Sequence, residues 1–447
     1  MDKNCYVYTN QEYDVKAIYN LLYDKIDVFK GAKVVIKPNW VMGGHLVKKD
    51  DWDYVVTHPT VIEAVLDIVL EKLDGTGEIL IVDNPMAMAD FDELMRRTKI
   101  REIVSKKEIK GTKVKVYDLR SEQWFQLFGL YVRRKKLNGD PLGHVSINLK
   151  EKSEFCNKPS KNYYGADYDV EEVRKFHNNT DNIYVLSKTI LSSDIFINLP
   201  KLKTHRFAGI TVAMKNLVGT TAIKNSLPHH TVGSPENGGD AYPRSGAGNK
   251  VETGILKVLR KLLKPRNPII SYPLALFKYL YNMVFGKSYV GNTIRYGEWH
   301  GNDTIWRTLL DLNKIILYCN KDGNMQDTVQ RKYYCVVDGI LAGEGNGPLT
   351  PDKKECGVIM FGDNPVVIDT VAATIMGFNY KKIPSVRNAY SVAGWPLTNF
   401  NVEDILITSN NDAFNSKKIS EIREKDTFNF RPHHGWVGKV ELDYNEG

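Results

Sequence analysis

Short apolar runs that break off at polar residues constrain this fold most. Residues 33–36 (KVVI) stop at Lys37-Pro38-Asn39-Trp40, and residues 78–82 (EILIV) stop at Asp83-Asn84-Pro85. Ile195, Phe196, Ile197 and Leu199 stop at Pro200, ahead of Lys201 and Lys203. Residues 333–337 run into Asp338-Gly339, and residues 358–362 into Asp363-Asn364-Pro365. Runs this short and this apolar read as strands buried on both faces. Between the first two, residues 61–73 (VIEAVLDIVLEKL) carry a helical period, with Thr60 as cap and Glu63 completing a capping box. Strand, helix, strand is the pattern of a parallel sheet. Residues 113–117 (KVKVY) add a further strand. The reading is an α/β, Rossmann-like, mostly parallel sheet. In such sheets ligands bind outside the carboxyl ends of the strands. Lys37/Asn39, Asp83/Asn84, Lys201/Lys203 and Asp338 should therefore converge on one cleft, with Asp363 as a fifth end.

The third of these ends opens the densest chemistry in the chain. After Pro200 come Lys201, Lys203, His205, Arg206, Lys215, Lys224, His229 and His230. Lysines held close together lower one another's pKa unless an anion lies between them. A carboxylate or phosphate satisfies that requirement; the alternative is a solvated basic surface. The small residues Ala208, Gly209, Ala213 and Gly219 allow close backbone approach and favour the site. Lys201, Lys203 and Lys215 are the expected anion binders, helped by Lys37, Asn39, Asn216 and Gly219. His205 is the expected proton carrier, since imidazole titrates near neutrality. His229 or His230 is a metal candidate, although adjacent histidines in extended chain point to opposite sides. The GEGNGP run offers Gly343, Gly345 and Gly347 as a phosphate-cradling loop, without matching a P-loop or GxGxxG fingerprint. Asp338, Asp363 and Asp369 offer oxygen ligands for Mg²⁺, with helix capping and lysine pairing as the alternative.

With 447 residues there is ample chain for a large core. The fold is expected to be interrupted: residues 1–235 and 301–380 form the α/β unit, 236–300 an inserted helical and loop segment, and 381–447 a C-terminal extension. Residues 233–250 are dense in Gly, Ser, Pro and Asn and read as a loop or lid. A net charge of +8 without long blocks of like charge argues for small anions rather than nucleic acid. The five cysteines are scattered, with no CxxC pair, so neither a disulfide framework nor an iron–sulfur cluster is expected. The first residues lack a basic start and an apolar run, so the expectation is a cytoplasmic protein. Residues 268–286, PIISYPLALFKYLYNMVFG, are mostly apolar and follow the basic Lys257, Arg260, Lys261 and Lys264. They read either as a buried helix hairpin or as an interfacial anchor on the inner membrane face.

Taken together, KPNW, DIFINLPKLKTH with MKNLVG, and VVDGILAGEGNGP with GDNPVVIDTVAATIMG resemble the DUF362 family, whose function is unassigned. The resemblance covers most of residues 33 to 380 outside the inserts. A fainter, local resemblance links His205-Arg206-Phe207-Ala208-Gly209, Lys215 and His229 to the nickel-pincer lactate racemase family. It implies Lys215 as the covalent anchor of a pincer nucleotide, His205 as acid/base, and His229 or His230 as a nickel ligand. The chain departs from that pattern at two strand ends, Lys37-Pro38-Asn39 and Asp83-Asn84, so a shared scaffold with altered chemistry is expected rather than lactate racemisation. The leading functional expectation is an enzyme that binds a small anionic substrate or nucleotide-like cofactor and moves a proton through His205. The competing expectations are a non-catalytic, membrane-docked accessory protein of envelope or polysaccharide assembly, and a Mg²⁺-dependent phosphoryl or nucleotidyl enzyme.

Overall fold

A computed structural model describes every residue except 1, 108–110, 129, 166–169, 247–253, 255–257, 259–261, 263–266, 286–293, 295 and 443–447. The basic stretch singled out before the apolar run lies outside the described residues.

The apolar runs are strands of one large sheet. In chain order its strands are β1 (Asn4–Tyr8), β2 (Lys33–Pro38), β3 (Glu78–Asp83), β4 (Lys113–Asp118), β10 (Ile195–Leu199), β14 (Lys332–Glu344), β15 (Asp352–Gly362) and β16 (Leu406–Ser409). Their spatial order is β16-β1-β15-β14-β10-β2-β3-β4, and a short pair, β11 (Lys201–His205) and β12 (Gly209–Thr211), branches from β14. Strands β4, β3, β2, β10 and β14 run parallel, while β15 is antiparallel to both β14 and β1. The fold is thus α/β with a mostly parallel central sheet.

Alternation along the strands explains why they read as continuous apolar runs. Val34, Ile36, Ile79, Ile81, Ile195 and Ile197 face one core, which also takes Ile62, Val65 and Val69 from the helix Pro59–Leu73. Val35, Leu80, Val82, Phe196, Cys335 and Val337 face the other, with Val367, Val371 and Ala372 from the helix Pro365–Ile375. A sheet covered on both sides leaves no polar face to mark it.

The helix start differs from the expected one. His58, not Thr60, caps Pro59–Leu73: its Nδ1 accepts from the Thr60 N–H at 3.3 Å, and Pro59 takes the first helical position. Proline there sets the helical φ, lacks the N–H that would go unpaired, and holds His58 extended. Glu63 pairs instead with Lys107 at 2.6 Å.

Residues 121–180 form peripheral pairs: the hairpin β5 (Glu122–Leu127) and β6 (Leu130–Lys136), β7 (His144–Asn148) with β9 (Ile183–Ser187), and β8 (Tyr163–Tyr164) with β13 (His230–Thr231). Asp240 ties the chain after β13 to the start of the helix Ile305–Tyr318. It accepts from the backbone N–H of Thr231 and Asp303 and from the Thr304 hydroxyl. In the apolar run there is one 18-residue helix, Pro268–Phe285, lying on the β5–β6 hairpin. The C-terminal extension contributes β16 to the sheet edge, parallel to β1.

Asp369 shows how the fold serves the cleft. From the helix Pro365–Ile375 it accepts the N–H groups of Ala213 (2.7 Å) and Met214 (3.2 Å), fixing the turn that carries Lys215 and Asn216. Asp369→Ala leaves two buried donors unpaired and should lower stability by about 2–3 kcal/mol, read from urea unfolding against the unsubstituted chain.

Candidate functional site

The ends of β2 and β3 meet. Lys37 Nζ lies 2.8 Å from Asp83 Oδ1, with both side chains buried. Asp83 also accepts the backbone N–H groups of Trp40 and Asn84, each at 2.8 Å. The MKNLVG segment closes over this pair. Asn216 accepts from Asn39 Nδ2 (2.7 Å) and Lys37 Nζ (3.3 Å) and donates to Asn198 Oδ1 at the end of β10 (2.7 Å). Gly219 is required by contact. A Cβ there would sit 2.2 Å from Asp83 Oδ1 and 2.6 Å from Lys37 Nζ.

Above these ends lies a cavity of about 240 Å³. Lys37, Asn39, Lys203, His205, Lys215, Asn216, Gly219, His229 and His230 all line it, so most of the expected site is brought together. Lys224, Arg206, Asp83 and Asn84 join the wall. Tyr131, from β6, also reaches it. No sequence signal pointed to Tyr131, because the β5–β6 hairpin had no recognisable motif. Lys224 was legible as a member of the basic run.

Several expected residues lie elsewhere, each for a physical reason. Lys201 pairs with Asp338 at 2.8 Å in full burial, and Tyr13 and the His58 N–H also hold that carboxylate. The pairing of β11 with β14 slips from Lys201↔Asp338 to Lys203↔Gly343, and of the two lysines Lys203 lines the cavity while Lys201 does not. Asp363 follows β15, which runs antiparallel; its carboxyl end is therefore at the opposite edge, where it accepts the Asp2 N–H at 2.7 Å. Asp369 is a cap, as described. Gly343, Gly345 and Gly347 do not line the cavity. Gly343 and Gly347 let the loop press on β11, where a Cβ on Gly347 would lie 2.1 Å from the Thr204 carbonyl oxygen, while Gly345 supplies a φ of +72° and its N–H is already given to Arg431 O at 2.8 Å. Their glycine character serves packing and backbone conformation. The carboxylates do not gather, and among the described residues no three His, Cys, Asp or Glu side chains converge as a metal site.

The two central imidazoles are held in opposite states. His205 Nδ1 accepts from the N–H groups of Phe207 (3.1 Å) and Ala208 (3.3 Å), so a neutral ring carries its proton on Nε2. His229 Nδ1 lies 2.9 Å from the Leu227 carbonyl oxygen, which can only accept; that ring carries its proton on Nδ1 and leaves a lone pair on Nε2. Burial and the neighbouring cations, Lys215 first among them, keep both neutral: His229 is pulled down to about 4 and His205 well below its ordinary value. His230 packs on Tyr164, with ring centroids 4.7 Å apart.

Burial and mutual repulsion lower the charge of the lysines. Burial, then Arg206 and Lys37, lower Lys215 to about 7. Burial lowers Lys224 to about 7 as well, against the pull of Asp83. Lys203 is pushed well down by burial and by Lys201 and Lys215, and its amine donates to the Val55 carbonyl oxygen. Against these cations the wall holds one carboxylate, Asp83, already engaged by Lys37.

An anion placed among Lys215 and Lys224 favours their charged forms and so takes up protons when both start near 7. Affinity for sulfate, whose own charge is constant over this range, should therefore fall as pH rises above about 7, approaching tenfold per pH unit for each lysine coupled. Lys215→Gln should weaken binding below that pH and flatten the slope, measured by calorimetric titration across the range.

The family model of DUF362, a domain of unknown function, matches residues 34–140 and 154–374. No curated protein matches the chain significantly. Among solved structures, a Thermotoga maritima protein is similar at a TM-score of 0.32 and 8% identity, over 76% of this chain and 54% of that one. The lactate racemase apoprotein from Thermoanaerobacterium thermosaccharolyticum is similar at 0.32 and 10%, over 79% and 53%. The chain spans about half the length of each. At that distance the likeness carries no argument about chemistry.

Proposed function

For a chain that belongs to the DUF362 family, whose function is unassigned, we propose an enzyme that binds a small carboxylate or phosphate anion and transfers a proton on it. The observation that carries this reading is the opposed locking of His205 and His229 in one cation-lined cavity. His229 Nε2 presents a lone pair and is the base. His205 presents an Nε2–H donor, so it stabilises developing negative charge on oxygen and can give up that proton. The sequence-based expectation is of His205 as the proton carrier, with donor or acceptor left open; here it takes the donor's part and His229 the base's. His205 Nδ1 faces two N–H groups, so the tautomer a base needs would be repelled.

Lys215 and Lys224 hold the anion and Lys37 and Arg206 add to the field. Donors fixed in a buried site stabilise developing charge without reorganising. Arg206 is itself steadied by Glu298 at 2.8 Å. Cavity size favours a small metabolite over a nucleotide: about 240 Å³ is below the roughly 300–1,000 Å³ of sites that enclose drug-sized ligands. The engaged state of Asp338, Asp363 and Asp369 argues against the Mg²⁺-dependent phosphoryl alternative.

The test is solvent deuterium exchange. Purified protein is incubated in D₂O with separate 2-hydroxy acids, 2-oxo acids and sugar phosphates, and label at carbon is read by mass spectrometry. His229→Gln should abolish exchange, a loss of about 10²–10⁴-fold, while thermal stabilisation by the same anion persists. His205→Gln should slow exchange by a similar factor without changing which carbon is labelled. Exchange undiminished in His229→Gln, or no stabilisation by any anion, would sink the reading.

A further inference from the structure

The helix Pro268–Phe285 is inside out. A surface helix normally buries its large apolar side chains and shows its polar ones. Here Ser271 and Ala275 are buried against the β5–β6 hairpin, with Ser271 Oγ donating to the Val132 carbonyl oxygen at 2.8 Å. The opposite side exposes Ile269 (81%), Tyr272, Leu276, Leu280 and Met283 (60%), with Phe277 (68%) beside them. Steps of three and four residues place the first five on one face.

The hairpin under the helix extends the surface. Phe128, at the hairpin tip, is exposed and stacks on Tyr279 with ring centroids 4.2 Å apart. Its φ is +48°, an uncommon conformation for a bulky side chain. Basic residues flank the apolar face. Arg133, Lys135 and Lys136 on β6 are exposed.

We infer that this face docks on an anionic lipid bilayer, with the helix lying in the interface and the basic residues meeting lipid headgroups. Charge selects the occupant. A second copy of this chain would bring the same cations against each other, whereas anionic lipid compensates them. Among the described residues no helix is long and apolar enough to cross a membrane, which fits a helix lying on the surface better than one passing through it. Strand β6 links this face to the cavity. Leu130 and Val132 pack with Ala275 of the helix, and Tyr131 between them lines the cavity. Docking therefore brings the cavity wall close to the membrane surface.

The inference stands on the surface alone and is tested apart from the cavity. Full-length protein is floated with vesicles of phosphatidylcholine alone, and with about one-third phosphatidylglycerol. It should float with the anionic vesicles and less with the neutral ones, and salt should release it. The double variant Phe277→Asp/Leu280→Asp should remain unbound. Lys135→Glu should weaken binding at least about fivefold, the effect of one basic side chain at such a surface. Melting temperature and phosphate titration of each variant should match the unsubstituted protein. No flotation of the unsubstituted protein, equal flotation of the double variant, or a salt-stable dimer that the double variant splits would overturn the inference. Flotation without phosphate binding would overturn the cavity reading and leave this one standing.

Discussion

The site depends on the buried pair of Lys37 and Asp83. It ties the carboxyl ends of two neighbouring parallel strands, and both partners are out of water. Breaking such a pair by removing one partner typically costs about 3–5 kcal/mol, because the other charge is left buried alone. Around it the polar groups interlock. Asp83 takes two further backbone donors, Lys37 reaches Asn216, and Asn216 spans to Asn39 and Asn198. Gly219 is the complement of this pair rather than a flexible joint: no other residue could lie against the ion pair without displacing it. The cavity floor is therefore rigid, and the mobile charges are those above it, on Lys215 and Lys224.

Much of this was legible in the sequence because the governing pattern is local. Apolar runs that stop abruptly identify parallel strands, and the carboxyl-end rule then brings Lys37, Asn39, Lys203, His205 and Lys215 to one place. The same rule misplaced Asp363, since it applies to strands running in parallel and β15 runs the other way. Nothing in the five residues of its apolar run records direction. Lys201 was misplaced because its buried partner, Asp338, comes from a strand far along the chain that the apolar run does not reveal. The glycines of the GEGNGP run were read as an anion cradle because close backbone approach has one sequence signature, whether the approaching group is a phosphate or another strand. Here it is β11.

Other features were not legible because they depend on contacts distant in sequence. The roles of His205 and His229 rest on what their Nδ1 atoms face: two N–H groups in one turn, a carbonyl oxygen in another. Composition cannot express that difference, yet it assigns donor and acceptor. Asp369 likewise looks like a metal ligand by residue type and proves to be the cap of the turn that presents Lys215, 154 positions earlier in the chain. The C-terminal extension carried no motif of catalysis, but Trp436 lies over Gly209 and donates to the Arg206 carbonyl oxygen at 2.8 Å, steadying the turn that holds Arg206 and His205.

The cavity and the inverted helix face solve the same electrostatic problem at different depths. In the cavity, cations are buried and lose charge, which an entering anion would restore. On the helix and hairpin surface, cations stay solvated and keep their charge, so an anionic surface attracts them without a proton being taken up. The two regions should therefore respond differently to conditions. Anion binding in the cavity would follow pH, through Lys215 and Lys224. Binding at the surface would follow ionic strength, because exposed charges are screened over roughly 8–10 Å at moderate salt. Tyr131 is where the two regions share a strand, and its position makes the β5–β6 hairpin part of the site rather than an ornament on it.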